Sequence, residues 1–166
     1  MDFPAIMHEY FRGERIESLY VIAPLGILCV AFGAGLLLTE RSAFFVGVAV
    51  PFVVLGLALA GVGGSVGLRT SSQVAALEQA YQTNAATFVA EELPRMEKVN
   101  KNWPVYLTTW CVFAVVGLLL RFAVSRDWAH GLGIALVFFG GVGLLIDGFA
   151  ERRAKPYTAA LSALRG

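Results

Sequence analysis

Residues 69–103 read RTSSQVAALEQAYQTNAATFVAEELPRMEKVNKNW, the only long polar stretch in the chain. On each side of it lies a pair of apolar runs, 19–38 and 43–68 before it, 104–120 and 128–146 after it. A run of about 20 apolar residues in helical form covers about 30 Å, the thickness of a bilayer's hydrocarbon core. The stretch therefore divides the chain into two membrane hairpins joined by a polar arm. Each hairpin closes in a tight polar turn, Thr39-Glu40-Arg41-Ser42 in the first and Ser125-Arg126-Asp127 in the second.

Composition agrees with a lipid-embedded chain. Charged residues make up 15% of the sequence, well below the roughly 25% of soluble domains, and they cluster between the apolar runs. The net charge of +1 carries no basic excess, so nucleic acid is not an expected partner. Cys29 and Cys111 both sit inside apolar runs and read as packing residues rather than a disulfide framework. The first apolar run starts late and is followed at once by a second, so it reads as a retained helix rather than a cleaved signal.

In chain order, 1–17 is an amphipathic segment. Phe3, Ile6, Met7 and Tyr10 follow helical spacing, Asp2 and Pro4 suit the helix start, and Gly13 is expected to weaken or end it. Two readings stay open: a helix lying in the membrane interface, or a leader packed on the arm. Residues 18–68 form the first hairpin, with Pro24 and Pro51 inside its spans. Residues 69–103 form the arm. Thr70-Ser71-Ser72-Gln73 has the capping-box form and predicts a helix start, and Pro94 is expected to break or bend that helix. Residues 104–150 form the second hairpin, opened by Pro104 with Asn102 as a cap. Residues 151–166 form a short tail.

Lys and Arg concentrate in the N-terminal segment, the arm and the tail, with Arg41, Arg121 and Arg126 alone near the turns. The positive-inside rule then places both termini and the arm in the cytoplasm, and the spans in the cell's inner or plasma membrane. The expected fold is all-α: an integral membrane four-helix bundle of two parallel-repeat hairpins. The repeat rests on a gapless match at an offset of 84 residues, pairing Gly33 with Gly117, Gly47 with Gly131, Val53 with Val137, Gly56 with Gly140, Gly64 with Gly148 and Arg69 with Arg153.

Several residues invite a functional reading. Gly56, Ala60 and Gly64, with Gly140 and Gly148 at matching places, have the small-residue spacing of a helix-packing or oligomer seam. Asp147 stands where the first half has Gly63, so its charge is not part of the shared scaffold. It and Arg121, Arg69 and Arg153 read either as an ion path or as structural ion pairs near the membrane boundaries. Tyr81, Phe88 and Met96 form the apolar face of the arm and read as a partner-docking surface. His8 and His130 lack companions at metal-ligand spacing, and no nucleophile sits in a readable catalytic motif. No cofactor, metal or enzymatic activity is expected.

The leading expectation is thus a non-enzymatic membrane protein acting through protein contact: a homo-oligomer that scaffolds, regulates or protects, its arm docking a cytoplasmic or membrane protein partner. The alternative is a small ion or solute channel or transporter built from an oligomer of the bundles.

Overall fold

The computed structural model describes residues 2–165. Almost all of them are helical: α1 (Phe3–Glu17), a π-helical segment (Ser18–Ile22), α2 (Ala23–Thr39), α3 (Ala43–Thr83), α4 (Ala85–Ala123) and α5 (Asp127–Arg165). The α1, π and α2 segments run on as one rod. The chain is therefore four long helices, each apolar and long enough to cross a membrane. Both tight turns fall where the polar tetrads and triads predict them, at 40–42 and 124–126. Ser42 caps α3 by accepting from the Phe45 N–H.

Helix length sets the architecture. The 41 residues of α3 extend about 60 Å, twice the hydrocarbon thickness. Its apolar half lies toward the turns and its polar half projects beyond. α4 and α5 have the same division. The bundle thus has a turn end, which is apolar on its outside, and a polar end, which carries Phe3, Asn84 and Arg165.

The arm differs from its expected form. No helix starts at Thr70: α3 runs unbroken from Ala43, and the Thr70 hydroxyl donates back to the Val66 carbonyl within that helix. The break comes at Asn84, whose side chain accepts from the Thr87 N–H and starts α4. Pro94 does not end α4, nor does a new helix begin at Pro104; both lie inside one 39-residue helix. Pro94 and Ala90 face outward, so water can satisfy the Ala90 carbonyl that Pro94 leaves without a donor. Nor does Gly13 end α1. It gives room to the Arg153 side chain, which passes over it. The tail is likewise the last part of α5, not a separate piece.

The polar end holds the hydrophobic core. Phe3, Met7 and Phe11 of α1, Phe88, Val89, Leu93, Met96 and Trp103 of α4, and Ala154, Tyr157 and Leu161 of α5 are all buried there, with Val74, Leu77 and Tyr81 of α3 packed around them. Residues 3–17 therefore pack on the arm. Tyr157 is the hub. Its ring stacks on Tyr10 at 4.8 Å and meets Phe3 and Phe11, and its hydroxyl donates to Glu92.

The apolar half is built differently. α2 packs on α3, α4 on α5, and α3 meets α5 between them. Backbones touch at small residues. A methyl group at Gly33 would strike the Ala49 carbonyl and Val53; one at Gly117 would strike the Gly133 carbonyl and Val137. Gly56 faces the Gly26 carbonyl and the Val30 N–H, while Gly140 faces the Trp110 carbonyl and the Ala114 N–H. α3 and α5 cross where Gly47 rests on the Trp128 carbonyl and Gly131 on the Phe44 carbonyl. Leu28, Leu38, Leu57, Leu119, Phe122 and Leu145 point outward and are exposed, as expected of side chains that face lipid.

Candidate functional site: a wedge between α3 and α5

From the Gly47–Gly131 crossing, Phe52 of α3 stacks on Phe138 and meets Phe139 edge-on. Nearer the polar end the two helices enclose a cavity of about 340 Å³. Its walls are apolar, with Leu59, Val62 and Val66 from α3 and Val142 and Ile146 from α5. Its polar rim joins three elements: Glu14 and Glu17 of α1, Ser18 of the π segment, and Asp147 and Arg153 of α5. Trp110 of α4 closes one side, its ring seated over Gly143 where any side chain would collide.

The rim charges are unequally satisfied. Arg153 pairs with Glu17, and its Nε has no hydrogen-bond partner. Asp147 accepts from the Trp110 indole N–H at 2.5 Å. Among the described residues neither Asp147 nor Glu14 has a cation within ion-pair distance. Burial pushes the Glu14 carboxyl up, against the opposing pull of Arg69, Arg95 and Arg153. Two of four rim charges are therefore paired with each other, and the other two are negative.

A second ionic group lies deeper in the polar end. Glu92 is buried and takes a bidentate contact from Arg95, at 2.6 and 2.5 Å, together with the Tyr157 hydroxyl at 3.1 Å. Such a fork satisfies both carboxylate oxygens and lets a charge stay in a core. Burial raises the Tyr10 phenol to about 12, with help from Glu14, and raises Tyr157 too, so both remain neutral beside their carboxylates. Asn100 ties α4 to α5 by donating to the Thr158 hydroxyl while accepting from the Trp103 indole.

Of the residues the sequence singles out, Asp147 and Arg153 are brought together on the wedge. They do not pair: Asp147 takes an indole and Arg153 takes Glu17. Arg69 is exposed on α3, close enough to Glu14 to act on its charge. Arg121 lies at the opposite end, bound to neither Glu40 nor Asp127. Its guanidinium lies over the Phe122 ring at 5.4 Å. Gly56, Ala60 and Gly140 do sit in helix contacts, whereas a side chain begun at Gly64 or Gly148 would enter open space; Gly63 and Gly67 hold the contact face that Gly64 was expected to share. Phe88 and Met96, expected as a docking face, are instead buried under α1 and the end of α5, and Tyr81 is half-buried against Phe3 and Phe88.

Glu14, Glu17 and Trp110 carry no motif that marks them as site residues in the sequence. Glu14 and Glu17 read as the solvated face of an amphipathic helix. Trp110 did leave a signal: it stands 84 residues after Gly26, as Asp147 stands 84 after Gly63. The hydrogen-bonded pair thus occupies two places where the first half carries glycine. Among the described residues no group of three or more His, Cys, Asp or Glu side chains is placed to hold a metal ion. Comparison of the chain with protein-family models, curated proteins and solved structures gives no match.

Proposed function

We propose that this is a non-enzymatic polytopic membrane protein that binds a small solute in the wedge between α3 and α5, as a carrier or channel subunit. The observation that carries this reading is the wedge itself: an apolar cavity at the boundary between the bundle's apolar and polar halves, rimmed by ionisable groups from two separate helices. Ionisable side chains at such depth are costly unless used, and mostly apolar pockets with a few convergent polar groups are the common form of ligand sites. The charge distribution along the chain supports both termini and the arm lying in the cytoplasm. The wedge then opens near the cytoplasmic face of the inner membrane.

Two parallel repeats related by a pseudo-twofold along the membrane normal complete the proposal. The offset of 84 that aligns the sequence halves also relates the glycine contacts. Gly33 with Ala49 and Val53 becomes Gly117 with Gly133 and Val137, and the Gly47 and Gly131 contacts exchange places across the α3–α5 crossing. In this reading the second repeat gained Trp110 and Asp147, and with them the solute site.

The test is saturable binding. Purified full-length chain in lipid nanodiscs is titrated with bulky aromatic probes of positive, neutral and negative charge. At least one should bind saturably, and Ala58→Phe, which fills the wedge from α3, should abolish that binding. If no probe saturates, the solute-binding reading fails.

A second reading, action through protein contact by a homo-oligomer, rests on Gly61, Gly64, Gly141 and Gly148, which have open space beside them on the outsides of α3 and α5. Without a hydrophobic drive in lipid, such faces are where a second copy can approach. Cross-linking from cysteine at Gly64 or Gly148 should then trap dimers; monomers alone would remove this reading.

A further inference from the structure

We infer that the wedge selects a lipophilic monocation, an amine, quaternary ammonium or phosphonium on an apolar body, with Asp147 as its counter-ion. The inference rests on the solute-binding reading and adds the chemical class. Four charged groups rim the cavity. Arg153 and Glu17 neutralise each other, which leaves Asp147 and Glu14 and a net negative rim. Asp147 is held in place by the Trp110 N–H, a neutral donor that orients the carboxylate without cancelling its charge. One carboxylate oxygen is engaged by that bond, and the other is available to an incoming cation. Electrostatic attraction is several-fold stronger at such a partly dry site than in water.

The walls set the rest of the ligand. Beyond the rim the cavity offers Leu59, Val62, Val66, Val142 and Ile146 and no further polar side chain from α3. A bare inorganic ion would leave that surface unused and would lose its hydration there. The Trp110 indole adds an aromatic surface beside the carboxylate, where a soft organic cation gains a cation–π contact. An anion of the same shape meets the Asp147 carboxylate, which has no cation within ion-pair distance. A neutral body of the same shape gains the apolar walls but nothing from the rim.

The experiment compares probes of one shape and different charge on the full-length protein in phosphatidylcholine nanodiscs. Tetraphenylphosphonium and tetraphenylborate are nearly isosteric with opposite charge, and tetraphenylsilane serves as the neutral body. Tetraphenylphosphonium should bind saturably and about 100-fold more tightly than tetraphenylborate, once partition into protein-free discs is subtracted. Asp147→Asn should weaken the phosphonium at least about tenfold, while Asp147→Glu keeps most of the affinity and Arg121→Gln, at the far end, changes nothing. The wild-type comparison needs no variant, so misfolding of Asp147→Asn does not leave the question open. Equal binding of phosphonium and tetraphenylsilane would make the wedge a neutral slot for a lipid chain and overturn the inference. So would stronger binding of the borate, or a folded Asp147→Asn that binds like the wild type. Absence of saturable binding by all three probes would instead remove the solute-binding reading beneath it.

Discussion

The two ends of this bundle hold the same four rods together by opposite means. At the polar end, large side chains interlock: Tyr157, Phe11, Met7, Met96 and Leu161 are all essentially without exposure. At the turn end, side chains are removed so that backbones can touch, at Gly33, Gly47, Gly117 and Gly131. The contrast follows from solvent. In water, burying aromatic and aliphatic surface is strongly favourable. In lipid that drive is absent, and close van der Waals approach supplies the contact. The wedge lies where one regime gives way to the other, which is why it is poorly filled by either.

Mutations should separate the two regimes. The largest effect is expected from Tyr157→Ala, which empties the hub of the polar core and strands Glu92 with Arg95 alone. The loss should be about 3–5 kcal/mol, seen as early unfolding of the polar end and rapid hydrogen exchange across Phe3–Glu17 while the apolar half keeps its protection. Simultaneous loss of protection at both ends would show that the two regimes are one cooperative unit. Next comes Gly131→Leu at the α3–α5 crossing, where the added side chain meets the Phe44 carbonyl. Overpacking there should cost about 1–3 kcal/mol in detergent unfolding, and Gly64→Leu, with open space around it, should stay within about 0.5 kcal/mol of the wild type. Similar losses for both would mean that the glycine contacts do not define the seam.

A smaller effect is expected from Tyr157→Phe, which keeps the stacking and removes only the hydroxyl that donates to buried Glu92. The Arg95 fork still satisfies Glu92, so loss of this one hydrogen bond should cost about 0.5–1.5 kcal/mol, and the aromatic cluster should remain intact by near-ultraviolet dichroism. The smallest is pH-dependent. Burial raises the Glu14 carboxyl, so the folded chain binds that proton more tightly than the unfolded chain. The resulting destabilisation is full above the folded value and vanishes as pH falls through it toward the ordinary carboxylate range. The groups acting on Glu14 are Glu17 on its own helix, Arg69 from α3, Arg95 from α4 and Arg153 from α5. Glu14→Gln should therefore raise the melting temperature slightly at about pH 8 and lose that advantage at about pH 4. A gain that grows on acidification would reverse the assignment.

How much of this was legible in the sequence depends on which solvent a segment meets. The four apolar rods and both turns could be read directly, because lipid demands long uninterrupted helices and the charges mark where they end. The polar end was harder. Thr70-Ser71-Ser72-Gln73 has the composition of a helix start, yet the same residues are tolerated inside a helix that packing on both sides sustains. Pro94 looked like a stop, but its solvent-facing position makes the lost hydrogen bond replaceable by water. Phe88 and Met96 read as a docking face because the residues that cover them, Phe3 and Tyr157, lie about 60 or more residues away in sequence. Local pattern tells that a face is apolar and cannot tell what covers it. Asp147 was identifiable by its contrast with Gly63. Trp110 carries the same contrast with Gly26, and only the fold shows that the two departures touch.

The π-helical segment at Ser18–Ile22 has a consequence for evolution and for construction. Pro24 cannot donate to Tyr20, and the Ala23 N–H reaches back five residues to the Ser18 carbonyl instead, which takes up one extra residue in the rod. Beyond the segment, contacts correspond at an offset of 84. Up to its first residue, the buried residues Phe3, Met7, Phe11 and Ser18 fall 85 before Phe88, Glu92, Met96 and Trp103, which are buried too. On the proposed reading of two repeats, the segment is a one-letter insertion in one copy of a doubled text. Its bulge confines the slip to a single turn instead of spreading it along the helix. On that reading, deleting one residue there should bring the two halves into one frame, and two tandem copies of the second half would be a minimal version of the bundle to build.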